Sequence, residues 1–234
     1  MNRIGIGCEF RIRLECVSQE QFHFILDLFT ERAYKRAKRD GLLSLTGHSM
    51  FNPRKAAQVI AYLALQAGGR IDVLKAVKLV YLADRDSLKT WGAPILDEQH
   101  VSMPHGPVNS STYSHLNGEH DLTACGWADY LEDQANHVVG VVEGVTVDEL
   151  DELSDADIQS LDAVWTQFKH MTKWQIRDWT HDRNNVPEWE DPNGSSRPIP
   201  LERIMTMVGI ENADAQADLI RDHRKIDRLF ASLS

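Results

Sequence analysis

The feature that most constrains this fold is a pair of helical segments separated by two glycines. Asn52-Pro53 is typical of a helix start, because asparagine caps the first turn and proline at the first position loses no hydrogen bond. The apolar residues that follow share one helical face: Ala56, Val59, Ile60, Leu63 and Ala64. Gly68-Gly69 ends this helix. A neighbouring element must therefore cover the apolar face.

The second helix is predicted from about Asp72 to Lys89, and Gly92 and Pro94 stop it. Its apolar residues surround much of the circumference: Val73, Leu74, Ala76, Val77, Val80, Tyr81 and Leu82. A helix that is apolar on most sides is buried on most sides. We therefore expect it to be the central helix.

Further elements follow along the chain. Residues 95–103 read as extended, and Pro107 with Asn109 predicts a short helix that closes at Asn117-Gly118. Apolar runs at 128–132 and 137–143 predict a small antiparallel sheet. The sequence thus predicts a mainly α fold of the α+β class: a compact helical domain with a small antiparallel β-sheet.

Capping residues mark the later helices. Ser154 with Asp157 resembles a capping box, and Thr172 can cap the next short helix. Residues 181–200 contain four prolines and predict a long loop, in which Trp189 either folds back on the body or points outward to a partner. Pro200 starts a helix that ends at Gly209, and residues 213–233 predict a last amphipathic helix.

The charge distribution separates the first 49 residues from the rest. They carry 8 basic and 6 acidic side chains, whereas the remainder carries 17 and 29. We interpret residues 1–49, with a predicted strand at 10–17 and a helix at 19–39, as an N-terminal extension. Residues 50–210 are predicted to form the main domain, and residues 211–234 a C-terminal helix packed on it.

Composition narrows the function classes. The chain has no apolar run of about 18 residues and no secretory signal, so we expect a cytoplasmic protein without a membrane partner. Three cysteines without C-x-x-C spacing indicate neither disulfides nor a cysteine zinc site. A net charge of -10 argues against nucleic-acid binding and favours a basic partner.

No catalytic pattern is visible. Four histidines lie close in sequence without a metal-binding spacing, and Ser110-Ser111 lies outside any G-x-S-x-G motif. The Asp84/Asp86 and Glu188/Glu190 pairs fit solvated or salt-bridged carboxylates better than an acid–base pair. We therefore predict no metal, no cofactor and no catalytic residue, that is, a protein that is not an enzyme.

Three segments, taken together, resemble the Panacea domain, the family of SocA-type antitoxins. The first reads FNPRKAAQVIAYL followed by KLVYLADRDSLKTWG, the second VSMPHGPVNSSTY, and the third THDRNNVPEWEDPNGSSRPIPLERIM. The resemblance covers residues 51–210 and leaves residues 1–49 outside.

The resemblance implies a bacterial or phage antitoxin that silences a cognate toxin by direct protein–protein binding. Some relatives instead act as adaptors that deliver the toxin to an ATP-dependent protease, and an enzyme that uses His105, Ser110 or His181 is a further alternative. The motif positions and the aromatic loop give the predicted partner-binding residues: Lys78, Tyr81, His105, Pro107, Tyr113, His181, Glu188 and Trp189.

Overall fold

The computed structural model describes residues 51–122, 125–132 and 135–231, with side chains as far as Ile226 in the last helix. These residues belong to the second of two units into which the chain divides, residues 48–234. The predictions for residues 1–49 lie outside the described residues. The domain boundaries at 50 and 210 remain predictions.

Two helices form the centre of the fold. Helix α1 spans Pro53–Gln66, and the Asn52 side chain accepts a hydrogen bond from the backbone N–H of Lys55 at 3.1 Å. Helix α2 spans Val73–Trp91 and ends at Gly92, which has the left-handed conformation that favours glycine. The buried residues of helix α2 lie on most sides of the helix, so other elements of the fold surround it. The predicted central helix is confirmed.

Two small antiparallel sheets lie beside these helices. Strand β1 (Arg70–Asp72) pairs with β4 (Val138–Gly140). Strand β2 (His100–Met103) lies between β3 (Gly106–Asn109) and β5 (Arg197–Ile199). The mainly helical α+β class with small antiparallel sheets is confirmed.

Most of the remaining helices pack around α2, and the last packs on the helix that precedes it. The remaining helical elements are α3 (Ser110–Leu116), a 3-10 turn at Val147–Glu149, α4 (Asp155–Phe168), α5 (Lys173–His181), α6 (Leu201–Met207) and α7 (Ala213–Ala231). The capping box predicted at Ser154 and the helix cap predicted at Thr172 are present, because these side chains accept hydrogen bonds from the N–H groups of Asp157 and Gln175. None of these helices, in the part of the chain described, is long and apolar enough to cross a membrane.

Three strands differ from the prediction. Residues 106–109 form β3 rather than the start of a helix, so the helix begins only at Ser110. The run at 137–143 was expected to pair with 128–132, but its ladder is with β1, and only the Leu131–Val141 bridge joins the two runs. Residues 197–199, predicted as loop, form β5.

Candidate functional site

A tight turn between β2 and β3, Met103–Pro107, is held by side chains from three separate elements. We name this segment the clasped turn. Lys78 Nζ donates to the Pro107 carbonyl at 3.0 Å, and His181 Nε2 lies 2.8 Å from the Pro104 carbonyl oxygen. Trp189 Nε1 donates to the Met103 carbonyl at 3.2 Å. Three carbonyls of a five-residue segment therefore accept hydrogen bonds from side chains of α2, α5 and the loop that follows.

Gly106 allows the clasped turn to lie directly on α2 and α5. Its φ of 91° is in the left-handed region, where residues with a side chain are strained. A Cβ atom there would lie 2.8 Å from Thr180 Oγ1 and 3.1 Å from Lys78 Nζ. Glycine is therefore required at this position both by the backbone conformation and by the close approach of these two side chains.

His181 faces the clasped turn as a neutral donor. Burial lowers the pKa of its imidazole, and the positive charges of Lys78 and Arg177 lower it further. A carbonyl oxygen only accepts, so the ring nitrogen that faces Pro104 carries the proton. The His181 ring also meets the Trp189 ring edge-on, with centroids 4.8 Å apart. The two donors therefore stabilise each other's orientation.

Glu188 joins the same loop to the central helix. Its carboxylate is buried, and it accepts hydrogen bonds from Tyr81 Oη at 2.8 Å and from Arg85 Nε at 2.6 Å. Burial, with the adjacent Glu188 carboxylate, raises the pKa of Tyr81. Lys78, Tyr81 and Arg85 lie at helical spacing along one face of α2. This face therefore binds both the clasped turn and the loop that holds it.

A second polar network lies on another part of α2, and we name it the carboxylate network. Asp84 is fully buried and accepts four hydrogen bonds, from Ile95 N (2.9 Å), Leu96 N (3.0 Å), His100 Nε2 (2.9 Å) and Asn109 Nδ2 (2.6 Å). The expectation of a solvated or surface-paired Asp84 is therefore wrong. The sequence did contain a signal, because position 84 shares a helical face with the buried positions 77, 81 and 88.

Glu98 belongs to the carboxylate network too. It is 2% exposed and accepts hydrogen bonds from the backbone N–H of Thr112 at 2.9 Å and from the Thr112 hydroxyl. Burial raises the pKa of Glu98 to about 7, even though the Thr112 hydrogen bonds favour the charged form. The network therefore fixes the start of α3 onto the segment that follows α2.

Seven of the eight predicted partner-binding residues converge on the clasped turn and the loop beside it. His105 and Pro107 lie in the turn, and the others hold it or hold the loop: Lys78, Tyr81, His181, Glu188 and Trp189. Trp189 has folded back onto the body. Tyr113 is the exception, since it lies on α3, half-buried against the core.

The exposed part of this site is small. Pro104 and His105 are exposed, and His181 and Trp189 are partly exposed, whereas Lys78, Tyr81 and Glu188 are buried. Burial leaves these last three no surface to offer a partner in this conformation, and their assignment as partner-binding residues remains a prediction. Within the described ranges, histidine, cysteine and acidic side chains nowhere form a group of three or more that could hold a metal ion.

A separate acidic surface lies along α1. The sequence has no lysine or arginine between Lys89 and Lys169, but it has 15 acidic residues there. Seven of them, which we name the acidic strip, lie on the 3-10 turn, on α4 and between the two: Asp148, Glu149, Asp151, Glu152, Asp155, Asp157 and Asp162. The composition of this 79-residue stretch would have revealed the strip, whereas the overall net charge did not.

Helix α1 neutralises only part of the acidic strip. Arg54 pairs with Asp151 at 2.9 Å and Glu152 at 3.0 Å, and Lys55 pairs with Asp157 at 2.9 Å. Hydrogen bonds from Gln58 and Arg54 lower the pKa of Asp151. With two basic side chains against seven carboxylates, the strip keeps a negative surface.

Taken together, the fold and the clasped turn define a small α+β domain whose polar machinery holds a surface turn in place. Residues 77–190 match the family model described as "Antitoxin SocA-like, Panacea domain". The chain therefore carries a domain of this antitoxin family, as the sequence resemblance predicted. Comparisons with curated proteins and with solved structures found no match.

The matched range includes both polar networks on α2. It begins within α2, just before Lys78, and ends directly after Trp189. Helix α1 and residues 191–210, which the predicted resemblance included, lie outside it. The family supports an antitoxin role in general, and the clasped turn lies within the part of the chain that carries this family relationship.

Proposed function

We propose that this protein neutralises a cognate toxin by direct protein–protein contact, and that the clasped turn is part of the contact surface. The observation that carries the proposal is the convergence of seven motif residues, from three separate segments, on the clasped turn and the loop beside it. Loops that are fixed by a rigid scaffold are where binding residues concentrate. The family relationship supplies the class of partner.

The acidic strip supports a toxin with a basic surface. The exposed carboxylates of the strip include those of Asp148, Glu149 and Asp155. The sequence between Lys89 and Lys169 contains no lysine or arginine that could neutralise them. Complementary charge accelerates association and selects the partner. The strip contacts α1, whereas the clasped turn contacts α2 and α5, so the two surfaces can be tested separately.

Co-expression with the cognate toxin tests the proposal, with cell growth as the readout. His105→Glu changes an exposed side chain at the tip of the clasped turn, and we expect growth rescue to fall about tenfold or more because hot-spot contacts have this magnitude. His170→Glu, which changes an exposed histidine on the segment between α4 and α5, is the matched control. Equal rescue by both variants would remove the turn from the contact surface.

Charge reversal tests the acidic strip in the same assay. We expect Asp148→Lys with Glu149→Lys to slow toxin binding about tenfold at low salt and less at high salt. Reversal of Glu211 and Asp214, exposed residues near the start of α7, is the control. If neither charge reversal changed the rate of toxin binding, the hypothesis that the toxin has a basic surface would be excluded.

The adaptor alternative predicts a different readout. If the protein delivers its toxin to an ATP-dependent protease, the toxin's half-life in cells shortens when the protein is present. Direct blocking leaves the half-life unchanged. Both routes take place in the cytoplasm and need no membrane, nucleic acid or cofactor.

Catalysis is not part of the proposal. The hydroxyl and imidazole groups suggested for an enzyme are those of His105, Ser110 and His181, and His181 is engaged with the Pro104 carbonyl. Full neutralisation by Ser110→Ala, which leaves the clasped turn and the residues that hold it unaltered, would support binding alone. Loss of neutralisation by Ser110→Ala, with binding intact, would favour an enzyme.

A further inference from the structure

Lys78 is an unusual residue for the place that it occupies. Its side chain is 1% exposed, and the part of the chain that the structure describes contains no ion pair to it. Its hydrogen bond runs to the Pro107 carbonyl of the clasped turn. A buried ammonium without a carboxylate destabilises a fold, because removal of its hydration is not compensated. A methionine would fill the same volume without this penalty.

The clasped turn lies close to the Lys78 amine and offers it a hydrogen-bond acceptor. Gly106 lacks the Cβ that would meet Lys78 Nζ at 3.1 Å, and the adjacent Pro107 offers its carbonyl at 3.0 Å. His181 from α5 lies close enough to the amine for the positive charge of Lys78 to lower the pKa of the His181 imidazole. Burial lowers the pKa of Lys78 to about 7. The surroundings therefore hold the amine without compensating its charge.

We propose that Lys78 is a positioning residue for toxin recognition: its amine fixes the Pro107 carbonyl so that Pro104 and His105 project from the surface in one conformation. This inference rests on the proposed function. It explains why a destabilising side chain occupies the core beneath an exposed turn. Lys78 acts through the turn, and the toxin does not contact it.

The test compares Lys78→Met with Lys75→Met in the full chain. Lys75 lies one turn earlier on α2 and also donates to backbone carbonyls, those of Lys169 and Met171, at 2.9 and 2.8 Å. The variants therefore remove the same chemistry from two places, only one of which is the clasped turn. Amide hydrogen exchange of residues 100–109, urea unfolding and toxin neutralisation are measured for both.

We expect Lys78→Met to speed exchange in residues 100–109 about tenfold, to leave overall stability at pH 7 equal or higher, and to lower neutralisation about tenfold. Lys75→Met should leave both the exchange of this hairpin and neutralisation unchanged. The stability of the unaltered protein should rise from pH 7 toward pH 10, since the unfolded chain holds the Lys78 proton more tightly, and Lys78→Met should lack this rise.

Gly106→Ala approaches the same contact from the other side. Its Cβ pushes the turn away from the amine but leaves the core lysine unchanged, so it should loosen the hairpin and reduce neutralisation while the alkaline rise in stability weakens. Gly106→Ala also tests this contact if the Lys78→Met variant does not fold. Unchanged hairpin exchange in Lys78→Met, or a loosened hairpin with full neutralisation in Gly106→Ala, would overturn the proposal. If the unaltered protein does not neutralise the toxin, the proposed function fails, whereas exchange and pH dependence still decide whether Lys78 holds the turn.

Discussion

The carboxylate network and the clasped turn are both polar clusters on α2, but they join the chain in opposite ways. In the carboxylate network, buried carboxylates accept from groups 11 to 25 residues away, such as Ile95 N and Asn109 Nδ2. In the clasped turn, backbone carbonyls accept from side chains 29 to 86 residues away, such as Lys78 and Trp189. The first cluster fixes the local path of the chain, whereas the second depends on completed tertiary structure.

The carboxylate network and the clasped turn also differ in solvent exposure. Asp84, Glu98, His100 and Asn109 are all at most 3% exposed, so the carboxylate network has no surface to offer. The clasped turn leaves Pro104 and His105 exposed. We infer that buried polar residues on one helix serve two purposes here: the first network stabilises the fold, and the second holds a surface in shape.

The largest effect should come from Asp84→Ala. The change leaves His100, Asn109 and two backbone N–H groups without an acceptor in the core, which costs about 3–5 kcal/mol of unfolding free energy. Urea unfolding measures it. Asp86→Ala, two residues along the same helix at a partly exposed position, should change stability by less than about 0.5 kcal/mol. Similar losses for both variants would contradict the structural role of the carboxylate network.

The next effect is the pH dependence due to Glu98. Burial raises its folded pKa to about 7 from an ordinary value of 4.5, so its contribution to stability is full below pH 4.5 and is lost as the pH rises to about 7. The loss amounts to about 3 kcal/mol at 1.36 kcal/mol for each pKa unit.

Glu98 and Lys78 should therefore act in opposite directions. The Glu98 contribution falls up to about pH 7, and the Lys78 contribution rises above it, so their sum is least stabilising near neutral pH. Urea unfolding at several pH values should show that Glu98→Gln removes only the acidic limb. An acidic limb that survives in Glu98→Gln would assign it to other carboxylates.

The smallest effect should come from Trp189→Phe. A phenyl ring replaces the larger indole and the Nε1 donor to the Met103 carbonyl is lost, so stability should fall by about 1 kcal/mol. Trp174→Phe, at an exposed tryptophan on α5, should change stability by less than about 0.5 kcal/mol. If Trp189→Phe lowered stability as much as Asp84→Ala, the distinction between the two clusters would fail.

Helix boundaries were largely predictable from the sequence because their signals are local. Asn52 and Ser154 cap helices through bonds that span three residues, and Gly92 ends α2 through its own backbone conformation. Each signal can be recognised in a window of four or five residues. The class of fold followed from these helices.

Strands β3 and β5, and the pairing of the short strands, were not predictable in this way. A strand of three or four residues is defined by its partner, and Pro107 and Pro198 both read as breakers of regular structure. In the structure each proline lies on an edge strand of the three-stranded sheet, where a missing N–H is tolerated. Local sequence pattern does not show which distant strand will be the partner.

The residues around the clasped turn were named through the family resemblance, not through physical pattern. His181 and Trp189 gave no local indication that they donate to consecutive carbonyls near residue 103. Lys78 lies in the helix that was expected to be buried on most sides, but its carbonyl partner was not predictable. Contacts over 29 to 86 residues require the tertiary fold.

Pro198 also protects the sheet from other chains. It stands opposite Val101 on the outer strand β5 and is exposed, whereas the other outer strand, β3, is buried. An added strand would need N–H donors along the edge, and β5 lacks one at its centre. The missing donor thus hinders growth of the sheet by addition of strands from other chains, which would lead to an aggregate.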